Sequence, residues 1–475
     1  IDAPQIEQTK APQSDVVTLC FEFHDNLFIG GIVKRTNYKE SQQVIPGAVI
    51  KGAFARFLNE LCGADETAPI TEENELVNHD RAFPRLAKYF SRIRFSHAFP
   101  AHYTTQRRPV AIPFSTVQNS KGEVWDLALQ GAMPDPEQDA SQQIIRADPA
   151  LLVPDEKAPL YQIDWKTSAD LPARFGWATC QIVNTTRTAI EPQTRTAAEE
   201  QLYTFQYISP YEIAPGEGSS KSRLKRIRWL ATIRLPETEN DADGKPIDAQ
   251  DLCQLRAELH RVLQAGWDCL GKRDARFRLT VLSGDIARHA SSPAGMLVNN
   301  RAIVVLQTDA LLFDGYTAAF EKKNNLRAIY EGYWAEATKQ TCELVTYFAR
   351  QRMDGGGYLA KVRQKRTVPD YTYYPYILTE AGSVFVLQVK NPEQDGAIAE
   401  AHNRLQQLEK EGLPFLQDVQ EHVQEQMKQT HKELWQVCPF VPENGFGEIC
   451  INLAWHWEKA FPALKGGEQH EHHES

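Results

Sequence analysis

The chain has 475 residues, a formal net charge of −10, 42% hydrophobic residues and 24% charged residues. That length suggests two or three domains of a soluble globular kind, and no apolar run approaches the roughly 20 residues that span a bilayer. The acidic total argues against an indiscriminate polyanion binder, although a basic groove can sit on an acidic body. The eight cysteines are scattered without CxxC or zinc-finger spacing, so we expect reduced thiols, a cytoplasmic location, no metal and no cofactor.

In chain order, "DVVTLCFEFHDNLFIGGIV" alternates as one or two strands. "VIPGAVIKGAFARFL" then turns at Pro46-Gly47 into a helix with Ile50, Ala53, Phe54, Phe57, Leu58 and Leu61 on one stripe. Gly63 is placed to end it. Lys51 lies in its first turn, where the macrodipole disfavours a cation. Either an anion such as a phosphate sits there with it, or it is a solvated surface lysine. Residues 64–170 read as an irregular insertion with short strands such as "RIRFSHAF".

Order returns with "TRTAIEPQTRTAAEEQLYTFQYI", in which Arg187 and Arg195 sit among hydroxyls suited to a sugar-phosphate backbone, or to a solvated hairpin. "KSRLKRIR" concentrates Lys221, Arg223, Lys225, Arg226 and Arg228 without an acid. Such a cluster gives salt-dependent affinity for RNA, and Tyr203, Phe205, Tyr207 and Trp229 nearby either stack on bases or fill a core. A helix over 251–265 presents Leu252, Leu255, Leu259, Val262 and Leu263, and "ARFRLTVLS" follows as a strand.

The second half reads as a repeat of this order. "RAIVVLQTDALLF" is a strand, and Tyr330, Tyr333, Trp334, Ala337, Thr341, Val345 and Phe348 mark a helix. "GSVFVLQV" is a strand, a helical stretch runs from about 397 to 436, and the glycine loop "NGFGEI" enters a final strand. Smaller basic groups lie at Lys34-Arg35, Arg56 and Arg107-Arg108, and Lys361, Arg363, Lys365 and Arg366 form another cluster. The tail 461–475 is polar and expected to be disordered. No P-loop, GxSxG, HExxH or paired-carboxylate motif stands out, which leaves His24, His97 and His102 as candidates for metal-independent RNA cleavage.

Three stretches together resemble the RAMP superfamily of CRISPR–Cas proteins. "VIPGAVIKGAFARFL" is similar to its "iPGssikGalR" element, "RTAIEPQTRTAAEEQLYTFQYI" to its "RtaId…taaegqLy" segment, and "NGFGEI" to its glycine-rich loop. "AGSVFVL" resembles the large Csx-ten-type subunit of type III-D complexes. The resemblance implies an α+β fold of two tandem ferredoxin-like (RRM-like) RAMP domains, at 15–285 and 299–460, the first with the insertion at about 64–170. It implies a non-catalytic subunit that binds the CRISPR RNA, at its 5′ handle, with target RNA met indirectly. Its partners would be other RAMP backbone subunits and the large polymerase-like subunit, with no membrane. It places Lys51 with the family's helix-start cation, and Gly445, Phe446 and Gly447 with its RNA-facing loop. The first half's counterpart loop, "GWDCLGKRDARF", spaces Gly266 and Gly271 too widely for the pattern.

Overall fold

The computed structural model describes residues 14–35, 38–71, 82–119, 124–129, 160–162, 170–190, 197–214, 222–236, 247–271, 273–289, 295–315, 326–353, 376–430 and 434–460. It is a mixed α+β structure of several antiparallel sheets.

In the first half, β1 (Val16–Phe23) is the inner strand of a sheet, antiparallel to both Arg228–Arg234 and Ala275–Ser283. Arg94–Phe95 and Phe99–Ala101 pair with the outer side of Arg228–Arg234. With Arg94–Phe95 and Phe99–Ala101 counted as one interrupted strand, the order by chain position is fourth–first–third–second, and the short strand Cys269–Leu270 pairs on the outer side of Ala275–Ser283. The helices α1 (Gly47–Leu61) and Ala249–Gln264 contribute to the same core, through Ile50, Phe54 and Leu58 from the first and Leu255, Leu259 and Val262 from the second. These are the apolar positions that helical spacing selects; of the expected stripe, Leu61 alone is exposed, at 41%. Alternation on β1 sends Leu19, Phe21 and Phe23 inward, where Phe21 and Phe23 meet Phe277 and Trp229 edge-on at 5.0 and 5.2 Å.

The second half repeats the plan. Its strands Arg301–Leu306, Cys342–Phe348, Val384–Val389 and Ile449–Ile451 also lie fourth–first–third–second, all antiparallel. Its helices are Leu326–Ala337 and Ala397–Glu411, which bury Tyr330, Trp334, Leu405 and Leu408 against Phe385 and Leu387.

Two expected helices end early. Thr341, Val345 and Phe348 are not helical: Lys339 and Gln340 take left-handed φ of 52° and 66° after the helix. The chain then alternates as the strand Cys342–Phe348. The stretch from 397 to 436 breaks at Gly412, whose φ is 85° and which Pro414 follows, into Ala397–Glu411, Gln417–Thr430 and Leu434–Val437. Nor does the region from 64 stand apart. Residues 94–101 belong to the first sheet, while Val110, Val117 and Leu127 pack on Ile303, Val305 and Val384 of the second. The tail 461–475 lies outside the described residues.

Candidate nucleic-acid interface

The Pro-Gly turn and the terminal glycine loop meet each other. A Cβ on Gly47 would lie 2.0 Å from the Phe95 carbonyl oxygen and 2.4 Å from that of Asn444. One on Gly445, at φ 86°, would lie 2.6 Å from both the Phe95 oxygen and His97 Nδ1. The glycines are therefore needed so that the second half's loop can close on the start of α1. The Gly47 N–H donates to His97 Nδ1 at 3.2 Å, and Phe446 packs edge-on to the His97 ring at 4.9 Å. Burial lowers the His97 pKa to about 4, so the ring is neutral and accepts. Gly445, Phe446 and Gly447, which the resemblance places against RNA, are buried, with Gly445 against Phe95 and His97 of the first half.

Lys51 is also accounted for internally. Its Nζ donates to the Ser91 and Ile93 carbonyls, both at 2.9 Å, and lies 5.4 Å over the Phe90 ring. Burial brings its pKa down to about 8. The lysine ties α1 to the turn Phe90–Arg92, so its place at the helix start needs no phosphate.

Arg108 is engaged internally as well. It is buried, stacks 4.1 Å from the Phe99 ring, and grips Glu448 with Nη1–Oε1 of 2.6 Å and Nη2–Oε2 of 2.9 Å. Arg288 bridges Glu448 at 3.1 Å and Glu409 at 3.2 Å. Burial by itself would raise the Glu448 pKa, but Arg108 and Arg288 outweigh it and hold the carboxyl at about 2. This ionic joint couples residues 94–108 and 288 to the last strand of the second half.

Away from the joint, a four-stranded open sheet runs in the order Gly30–Arg35, Tyr38–Ser41, Ala197–Ile208, Ile182–Ile190. Period-two alternation places Tyr203, Phe205 and Tyr207 on one face. Register adds Arg187 opposite Tyr203, Thr185 opposite Phe205, and Lys39 beside Phe205. Lys39 Nζ is 5.4 Å from the Phe205 ring centre. The exposed Arg273 guanidinium reaches the same rings from the loop after Gly271, 4.2 Å from Phe205 and 5.5 Å from Tyr207, and it donates to the Tyr207 hydroxyl. Phe28 closes the cluster edge-on at 5.5 and 5.7 Å. The opposite face carries Asn184, Thr186, Thr204 and Gln206, with Thr186 and Thr204 hydroxyls 3.4 Å apart and Gln206 donating to the Tyr38 hydroxyl. Cations over aromatic rings on an open, hydroxyl-rich sheet can hold a phosphate chain and stack its bases.

A two-stranded ribbon continues from that sheet through Ser209-Pro210. Tyr211–Ala214 pairs with Arg223–Arg226 in the register Tyr211↔Arg226, Glu212↔Lys225, Ile213↔Leu224, Ala214↔Arg223. Arg223 and Lys225 are exposed. Arg226 is engaged at the ribbon's base, donating to the Phe23 carbonyl and to the Tyr211 hydroxyl at 2.8 Å, with His24 Nδ1 at 3.3 Å. Arg228 donates to the Thr105 carbonyl, Arg107 is exposed, and Arg56 is paired with Asp274 and Glu66. Lys34 and Arg35 lie on the sheet's edge strand. Arg195, Lys221, Lys361, Arg363, Lys365 and Arg366 fall outside the described residues.

The three histidines do not converge. His97 is inside the joint, His24 contacts Arg226, and His102 bonds Thr104 at 2.7 Å with Glu212 4.0 Å away. Among the described residues no cluster of three or more His, Cys, Asp or Glu is arranged to hold a metal, and no helix is long and apolar enough to cross a membrane. Sequence reading missed Lys39, Phe28 and Arg273. The available signal was that "GKRD" occupies, in the first half, the position that "NGFG" occupies in the second, before the fourth strand.

No protein-family model matches the chain, and no curated protein does. Among solved structures it overlaps a chain of the type III-B Cmr-beta complex bound to cognate target RNA and AMPPnP. That match has 9% identity, covers 78% of this chain and 86% of that one, and has a TM-score of 0.34. It also overlaps the Csm3–Csm4 subcomplex of the type III-A CRISPR–Cas interference complex, with 11% identity, 79% and 92% coverage and a TM-score of 0.31. At such scores the overlap decides neither fold nor function.

Proposed function

We propose that the chain is a non-catalytic RNA-binding subunit of a type III CRISPR effector, made of two tandem ferredoxin-like RAMP domains. The reading includes the CRISPR RNA, at its 5′ handle, as ligand, and neighbouring RAMP and polymerase-like subunits as partners. A type III-D complex of the Csx-ten kind is the specific form that the sequence resemblance favours. The observation that carries RNA binding is the open sheet: Arg273 and Lys39 over Phe205, with Arg187 across from Tyr203 and Thr185 across from Phe205 on the same face. The glycine loop and Lys51 take no part in it.

The test is fluorescence anisotropy of a short single-stranded RNA with the purified chain. Combined Arg273→Gln and Arg187→Gln substitutions should weaken binding by about tenfold or more and flatten the salt dependence by roughly 1.4 log units per log unit, about 0.7 for each phosphate contact. Unchanged affinity and slope in a folded variant would defeat the assignment. A specific cut of the RNA in EDTA, lost on His24→Ala or His102→Ala, would replace it with a ribonuclease.

A further inference from the structure

The fourth strand of each half ends its sheet, and the two edges are finished differently. In the second half, Ile449–Ile451 pairs with Arg301–Leu306 on one side. On its other side the Arg288 guanidinium donates to the Ile449 carbonyl at 2.8 Å, and the Ile451 N–H donates to Glu409 Oε1 at 3.2 Å. Side chains therefore satisfy that edge. In the first half, Ala275–Ser283 pairs with β1 from Phe277 to Ser283 without a bulge. The Arg276 carbonyl accepts from His24 N–H at 2.9 Å, and the Gly284 N–H donates to the Val16 carbonyl at 2.8 Å. Peptide groups of the even-numbered residues thus face β1, and those of the odd-numbered residues face away. The Phe277 N–H, on the outward side, donates to the Asp268 carbonyl at 2.7 Å, next to the short strand Cys269–Leu270. Beyond it, the N–H and C=O groups of Leu279, Val281 and Ser283 meet no strand among the described residues. No proline blunts this edge.

The side chains along the edge define what fits it. On the inner face Leu279 and Val281 pack on the first core but are only partly buried, whereas Phe21 and Leu19, their partners across the register, are fully buried. A further strand with apolar side chains would complete that layer. On the outer face Thr18 and Cys20 of β1 are buried, the latter in a small cluster that Ile286 covers, and the cover ends there. Arg276, Arg278, Thr280 and Leu282 are exposed. Arg278 reaches Glu22 at 3.5 Å with 72% of its side chain still exposed, and Arg276 makes no ion pair among the described residues. A second copy of the chain would bring the same arginines to that face, whereas an acidic strand would neutralise them. We propose that the free edge of Ala275–Ser283 docks an extended segment of a partner protein in which apolar and acidic side chains alternate. Main-chain bonds to Leu279, Val281 and Ser283 hold the segment. Its apolar residues cover Leu279 and Val281, and its carboxylates meet Arg276 and Arg278. The proposal does not depend on the RNA-binding reading.

The experiment uses the full chain and two capped heptapeptides, one alternating valine with glutamate and one alternating valine with lysine. Amide hydrogen exchange and the anisotropy of labelled peptide are the readouts. In the chain alone, the Leu279, Val281 and Ser283 amides should exchange at least about tenfold faster than those of Thr280 and Leu282, which face β1. Slow exchange at all five means that the edge is already filled, by this chain or a second copy, and overturns the proposal. Millimolar glutamate peptide should slow the three outward amides about tenfold and leave the other two unchanged, and the lysine peptide should not. Absence of protection overturns the proposal, as does equal protection by both peptides. Val281→Pro removes an N–H that no described strand uses, and it should abolish peptide binding with circular dichroism unchanged. Arg276→Glu with Arg278→Glu alters only exposed side chains and should reverse the preference toward the lysine peptide, so misfolding of the proline variant still leaves a decisive result. If the charge-reversed chain instead loses single-stranded RNA while neither peptide binds the parent, the arginines serve RNA and the docking edge is refuted.

Discussion

Gly47→Ala tests whether the Pro-Gly turn serves the joint between the halves. A new methyl would sit 2.0 Å from the Phe95 oxygen and 2.4 Å from the Asn444 oxygen. Restoring even 3.0 Å to the first requires a backbone shift of 1.0 Å (3.0 − 2.0), and neither neighbour is the end of a flexible side chain. Overpacking costs about 1–3 kcal/mol when side chains can yield, and a clash with two carbonyls belongs at the top of that range or above. Helix propensity offsets at most about 1 kcal/mol. The matched control is Gly52→Ala, five residues along the same helix, where nothing lies within 4 Å. It should be neutral or stabilising by up to about 1 kcal/mol. Hydrogen exchange reads the joint directly through Gly447 N–H, bonded to the Asp309 carbonyl, and Glu448 N–H, bonded to the Thr308 hydroxyl. A loss of about 3 kcal/mol in the joint accelerates their exchange on the order of 100-fold. If Gly47→Ala and Gly52→Ala behave alike, the close-approach argument is wrong.

Glu448→Gln leaves Arg108 and Arg288 facing a neutral amide and should cost about 3–5 kcal/mol in urea unfolding. Because the Glu448 pKa falls from 4.5 to about 2 on folding, its stabilisation is fully present above about pH 4.5 and is lost as pH drops toward 2. The pH-dependent part is on the order of 3 kcal/mol, about 2.5 units at roughly 1.4 each. The glutamine variant should lack that part of the acid titration. Lys51→Met strips the Ser91 and Ile93 carbonyls of their donor and should lower stability by about 1–3 kcal/mol. RNA affinity should stay within about twofold, far from the tenfold that 1.4 kcal/mol represents. A tenfold loss would return Lys51 to the RNA.

Local pattern determined much of this protein. The stripe Ile50, Phe54, Leu58 and the stripe Leu252, Leu255, Leu259 are core because 3.6-residue spacing turns them to one side. Repetition of strand and helix order was readable, and both halves use the same antiparallel strand order. Misreadings arose where spacing is ambiguous: Val345 and Phe348 fit a helix started at Tyr330 until two left-handed residues reset the period. What sequence left open was the ligand of each glycine and each cation. Gly47 and Gly445 allow a backbone to come close, but whether that backbone is RNA or another loop depends on long-range placement. Arg108 and Arg223 are equally basic as letters. Tertiary packing buries Arg108 on Glu448, 340 residues away in the chain, and leaves Arg223 exposed on the ribbon. Charge pattern records what a side chain can pair with; the folded chain decides which partner is near enough to pair.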